Sequence, residues 1–205
     1  MSAQKKKSRS IHQIILLNII VPLLFSTPAG AGWDEGMAAS QKGDHKKAYE
    51  ELLPIAEQGH VSAQTTIGVM YYNGQGVPVD YEAALVWLSL AAGKGHDVAQ
   101  FNLAVMFDSG TGTDQDFNEA ANWYRRAAQQ GHVRAQYNLA AMYENGDGVK
   151  QDAVRALAWF NIAAAQGDDE AAGNVSRLEQ SMTSKQIAAA SELAAECVDN
   201  GYKGC

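Results

Sequence analysis

Ala135, Leu139, Met142 and Tyr143 fall at helical spacing and form one apolar stripe, which predicts an amphipathic helix, A. A second stripe of Ala156, Trp159, Ala163 and Ala164 predicts a partner helix, B. Between them, Gly146 stands where a helix stops on a left-handed residue. Gly148 is expected to keep the turn open, and Asp152 offers the short acceptor that caps helix B. The same polar and apolar order occurs twice before. Residues 59–94, 95–130 and 131–166 are one 36-residue unit written three times without a gap. Twelve of the 36 positions are identical in all copies: Gly-His, Ala-Gln, a Met, Gly-x-Gly, an Asp, an Ala, a Trp and Ala-Ala. A fixed period of roughly 20–50 residues is the signature of a solenoid.

The small residue beside the A stripe (Gly68, Ala104 or Ala140) is expected to let the neighbouring helix approach, and Asp80 and Asp116 repeat the cap of Asp152. Trp123, flanked by full units on both sides, is expected to be buried, and Trp33 to lie at a frayed end. Residues 32–58 read as a worn first unit with a shortened helix A over 33–42, and Pro54 is expected to kink its helix B. Residues 167–205 read as a worn last unit. There Gly167, Ala171, Asn174 and Val175 keep the register of helix A. Thr183-Ser184-Lys185-Gln186 is a capping-box pattern that should start a last helix through Ile187, Leu193 and Ala194. No segment alternates with period two over a useful length, so the expected fold is all-α with about five helix pairs.

The elements Ala99-Gln-Phe-Asn-Leu-Ala104 and Ala135-Gln-Tyr-Asn-Leu-Ala140, followed by Gly-x-Gly, Asp, Ala-x-x-Trp and Ala-Ala, resemble the Sel1-like repeat, a variant of the tetratricopeptide repeats. The first copy departs from that pattern at Thr65-Thr66-Ile67-Gly68, and the second at Thr113. Met182-Thr183-x-x-Gln186-Ile187 is similar to the helix that often closes such arrays. The resemblance implies a right-handed α-solenoid of antiparallel helix pairs, with the A helices on its concave face and a protein or peptide ligand in the groove. The stripe opposite the structural one must then face that groove. It names Thr65 and Tyr72 in the first copy, Phe101 and Asp108 in the second, and Arg134, Tyr137 and Glu144 in the third. Phe101 and Tyr137 are either binding anchors or rings packed between adjacent A helices.

Residues 1–31 read as a cleaved secretion signal. Lys5, Lys6, Lys7 and Arg9 form a basic start, 14–25 an apolar run, and Ala29-Gly30-Ala31 a small-x-small cleavage site. An apolar run of that length is about 18 Å of helix, against a hydrocarbon core of about 30 Å, so stable membrane insertion after cleavage is not expected. Removing those four cations takes the formal charge from −7 to −11, which argues against nucleic acid as a partner. The expected location is periplasmic or secreted, and there the only two cysteines, Cys197 and Cys205, are expected to form a disulfide.

His60, His96 and His132 invite a metal site, but they occupy one slot of successive units. Stacked helices stand about 8–10 Å apart, whereas zinc ligands converge to within about 2.1 Å of one ion. They read as helix-start residues. The loop 108–114 only loosely follows a calcium loop. No phosphate-binding, nucleophile-elbow or zinc-protease motif occurs. Some Sel1-like proteins have been described as β-lactam hydrolases, with a cysteine pair in each repeat. Here no repeat contains a cysteine, and the one Ser-x-x-Lys is Ser2–Lys5. The reading is therefore of a monomeric exported scaffold without metal, cofactor or enzymatic activity. A scaffold tied to cell-wall or polysaccharide machinery is the alternative.

Overall fold

The computed structural model describes residues 31–205. The signal segment falls almost wholly outside the described residues. Within them the chain forms ten helices and no strand: α1 (Ala31–Gln41), α2 (His45–Glu57), α3 (Val61–Asn73), α4 (Tyr81–Gly93), α5 (Asp97–Ser109), α6 (Phe117–Ala128), α7 (Val133–Asn145), α8 (Ala153–Ala165), α9 (Asp169–Glu179) and α10 (Ser184–Asp199). Odd-numbered helices up to α7 are A helices, and even-numbered ones up to α8 are B helices.

The helix ends follow from single residues. His60 and His132 cap α3 and α7, with Nδ1 accepting from Ala63 N and Ala135 N at 3.2 Å. Asp80, Asp116 and Asp152 cap α4, α6 and α8 through their carboxylates. Each full A helix stops on a left-handed glycine, Gly74, Gly110 or Gly146. Thr183 and Gln186 complete the capping box that starts α10. Helix α2 runs unbroken through Pro54.

The second glycine of Gly-x-Gly has a tighter job than keeping a turn open. Gly76, Gly112 and Gly148 all have positive φ, and each lies against the first residue of the preceding B helix: His45, Tyr81 and Phe117. A Cβ on Gly112 would stand 2.8 Å from Tyr81 O, so the loop could not settle there with a side chain.

The core is a column with the period of the sequence. Leu52, Leu88, Tyr124 and Phe160 follow one another at the repeat distance, and all are fully buried. Gly68 shows the closeness this demands, since a Cβ there would meet Leu88 Cγ at 2.8 Å. Beside that column runs a ladder of buried glutamines. Gln64, Gln100 and Gln136 donate through Nε2 to Ala56 O, Ala92 O and Ala128 O, at the end of the B helix behind. Their Oε1 atoms accept from Lys94 Nζ, Gln130 Nε2 and Gln166 Nε2, at the end of the B helix ahead. Each glutamine therefore ties two successive B helices together, which gives the invariant Ala-Gln a physical reason.

Two sequence expectations change. Trp123 is only half-buried, whereas Trp159 in the same slot of the next unit is 1% exposed. The last two helices also do not pair as a hairpin, because α9 and α10 both pack on α8 instead. The tail beyond α10 turns back through the Cys197–Cys205 disulfide, whose Cα atoms are 5.6 Å apart. Tyr202 N donates to Cys197 O at 2.6 Å, and the Tyr202 ring lies beside Gly131.

Candidate interaction surface

The slot of Thr65, Phe101 and Tyr137 does not face open solvent. Thr65 is 5% exposed, and its Oγ1 lies 3.2 Å from His96 Nδ1, the N-cap of the next A helix. The groove assignment fails for Thr65 because a small side chain there is closed over by the following unit. Phe101 stacks on His132 one unit on, at 4.5 Å between ring centres and 18° between planes, and its other neighbour is Tyr124 at 5.9 Å. Tyr137 meets Phe160 edge-on at 5.4 Å, and its hydroxyl accepts from Asn174 Nδ2 at 3.3 Å. Both rings thus pack between adjacent A helices and remain half-buried.

Their uncovered edges still contribute to a surface. Phe101, Arg134 and Tyr137 line one open hollow of about 440 Å³, together with Asn138 and residues 167–170 at the start of α9. Arg134 is exposed and lines it together with Asp168, Asp169 and Glu170. Asp168 caps α9 through Ala171 N at 2.8 Å, so it replaces the histidine of the earlier units. The hollow therefore offers two aromatic edges, one guanidinium and a carboxylate rim, which suits side chains of a protein ligand.

The other proposed groove residues lie outside it. Tyr72 packs edge-on against Tyr81 at 5.4 Å. Asp108 accepts from Tyr124 OH at 3.2 Å; burial pushes its carboxyl up, partly offset by that hydrogen bond. Burial also raises the Tyr124 hydroxyl. Glu144 takes both arms of Arg177 at 2.7 Å and spans from α7 to α9. The sequence reading missed Asn138 and the acids of 168–170. The signals for them were the Asn shared with Asn102 and three consecutive carboxylates at the start of a helix.

Hairpins of capped helices, stacked at a fixed period around a small-residue core, define an α-solenoid of the tetratricopeptide type. A family model described as Sel1 repeat matches residues 61–96, 97–132 and 133–168, more than half of the chain. The chain belongs to the Sel1 repeat family. Among solved structures, it is similar to a protective antigen present in uropathogenic Escherichia coli strains that displays an SLR fold, at 29% identity and a TM-score of 0.78 over 85% of this chain. It is also similar to a Sel1 repeat protein from Oxalobacter formigenes, at 32% identity and a TM-score of 0.67 over 70% of this chain. The chain spans 39% of the first of these proteins and 59% of the second. No curated protein matches it. Sel1 repeat solenoids are typically protein-interaction scaffolds and generally non-catalytic.

Proposed function

We propose that the chain is an exported scaffold that holds a protein or peptide against its A helices, and that it is not an enzyme. The observation that carries this reading is the convergence of Phe101, Arg134 and Tyr137 on one hollow. Three side chains from two A helices, set apart by one repeat, can there grip adjacent residues of an extended segment. The Cys197–Cys205 disulfide supports export, since such bonds persist in oxidising compartments. Among the described residues no helix is long and apolar enough to cross a membrane.

The test is site-specific photocrosslinking in the native host. A photoreactive residue at position 134 should give a discrete protein adduct in the exported fraction. The same residue at the exposed position 90, on α4, should give none. Equal adducts at both positions would remove the groove reading. Sedimentation of the chain with wall fragments, without any protein adduct, would favour the polysaccharide alternative. Nitrocefin hydrolysis by the purified chain would overturn the non-enzymatic reading.

A further inference from the structure

The repeat supplies a control for every surface position, because a side chain that packing requires should recur one unit away. The junction of α6, α7 and α8 departs from that rule in charge. Arg125 from α6, Lys150 from the loop before α8 and Arg155 from α8 line an open hollow of about 530 Å³ beside Tyr143. Arg125 Nη2 donates to Tyr143 OH at 3.4 Å, and the Arg155 guanidinium carbon lies 5.6 Å from the same ring centre. One unit earlier the equivalent slots hold Ser89, Asp114 and Glu119, around Phe107. The fold therefore accepts neutral and acidic side chains in these places, and packing does not demand the three cations.

Of those cations only Arg155 has a carboxylate partner among the described residues. Among the described residues, no carboxylate lies within 4.0 Å of Arg125 or Lys150. Arg155 Nε lies 3.7 Å from Asp152 Oδ2, an exposed contact of little worth. Asp152 Oδ1 is already committed to the amides of Val154 and Arg155. The whole chain carries a formal charge of −7, so a local positive hollow stands against a field of the opposite sign.

We propose that this hollow is a second binding site, for an acidic peptide segment of a partner protein whose carboxylates are met by Arg125, Lys150 and Arg155. Guanidinium forks take carboxylates with two parallel hydrogen bonds, and Tyr143 helps to orient both of them. A peptide fits better than a nucleic acid. A nucleic-acid backbone is held by cations tracking along a groove, whereas these three share one hollow on a net acidic surface. The site shares no lining residue with the hollow of Phe101 and Tyr137, so it does not depend on that reading.

The experiment is fluorescence anisotropy with labelled hexaglutamate, against hexalysine and an oligothymidylate of equal length. The chain should bind hexaglutamate best, and added salt should weaken it. The triple variant Arg125→Ser, Lys150→Asp, Arg155→Glu copies the preceding junction and should keep its melting point. It should bind about tenfold more weakly, as expected for three exposed charge contacts. Lys150→Ala alone touches no packed residue and should weaken binding about threefold. The proposal is overturned if hexaglutamate binds no better than hexalysine, or if both variants bind as the parent does. Tighter binding of the oligothymidylate would overturn it in favour of nucleic acid. Loss of self-association in the triple variant, without peptide binding by the parent, would assign the hollow to a second copy of this chain.

Discussion

The second and third units are built on one template and buried to different depths. Trp159 is 1% exposed, whereas Trp123 is half-buried, with the Arg126 guanidinium 4.6 Å above its ring. The backbone around them is equivalent, so the difference comes from what lies outside. Helix α8 carries α10 as well as α7 and α9, while α6 has α5 and α7 against it and no third helix in comparable contact. The side chains agree. Ala158 and Ile162 are buried in α8, where α6 places the exposed Asn122 and Arg126. In a solenoid, burial belongs to the neighbour and not to the slot.

The largest effect that can break this comparison is on the tryptophans themselves. Trp159→Ala should cost about 3–5 kcal/mol, as for other fully buried aromatic side chains. Trp123→Ala should cost roughly half as much, because part of its ring is already in water. Urea denaturation of the two variants measures both, and equal costs would refute the role given to α10. Next comes the tail. Replacing Cys197 and Cys205 by Ser opens a short loop worth about 2.5 kcal/mol in chain entropy. The loss should appear as earlier hydrogen exchange in α8 and α10, with α3 and α4 unchanged.

The glutamine ladder predicts the opposite outcome, equality. Gln100 and Gln136 make the same two hydrogen bonds, so Gln100→Ala and Gln136→Ala should each cost about 2 kcal/mol, the net worth of two hydrogen bonds. A clear difference in their denaturation midpoints would show that depth matters for the ladder too. The smallest effect is on pH. Burial lowers the pKa of His132, so the unfolded chain binds the proton more readily than the folded one. Its contribution is fully present above the ordinary histidine value of about 6.5 and declines as pH falls below it. His132→Asn keeps an N-cap acceptor and should flatten the melting temperature between pH 7 and pH 5, as measured by circular dichroism.

The period, the caps and the turns were legible in the sequence because each rests on local chemistry. Asp at a helix start and the left-handed Gly at a helix stop act within a few residues of themselves. What was hidden depends on the next unit. In the column of Leu52, Leu88, Tyr124 and Phe160, the last three stand directly after the conspicuous Trp, yet nothing within one repeat tells which of two adjacent residues points inward. Thr65 looked like a groove residue until His96 closed over it. The docking of α10 on α8 also lies outside the repeat, although Ala158 and Ile162 in place of Asn122 and Arg126 were its trace.

The glutamine ladder also says how such a chain can change length. Every rung reaches back to a carbonyl eight residues behind and forward to a side chain 30 residues ahead. Excising residues 95–130 would place Gln136 at the same distance from Ala92 that it now holds from Ala128, and Gln64 would keep Lys94. Both rungs would close again with the chain one unit shorter, and inserting a unit would add one rung. The units behave as interchangeable bricks whose mortar is written into each brick, so copying errors of whole units leave no ragged joint. Two longer proteins can therefore share this chain's shape while it spans only 39% and 59% of them.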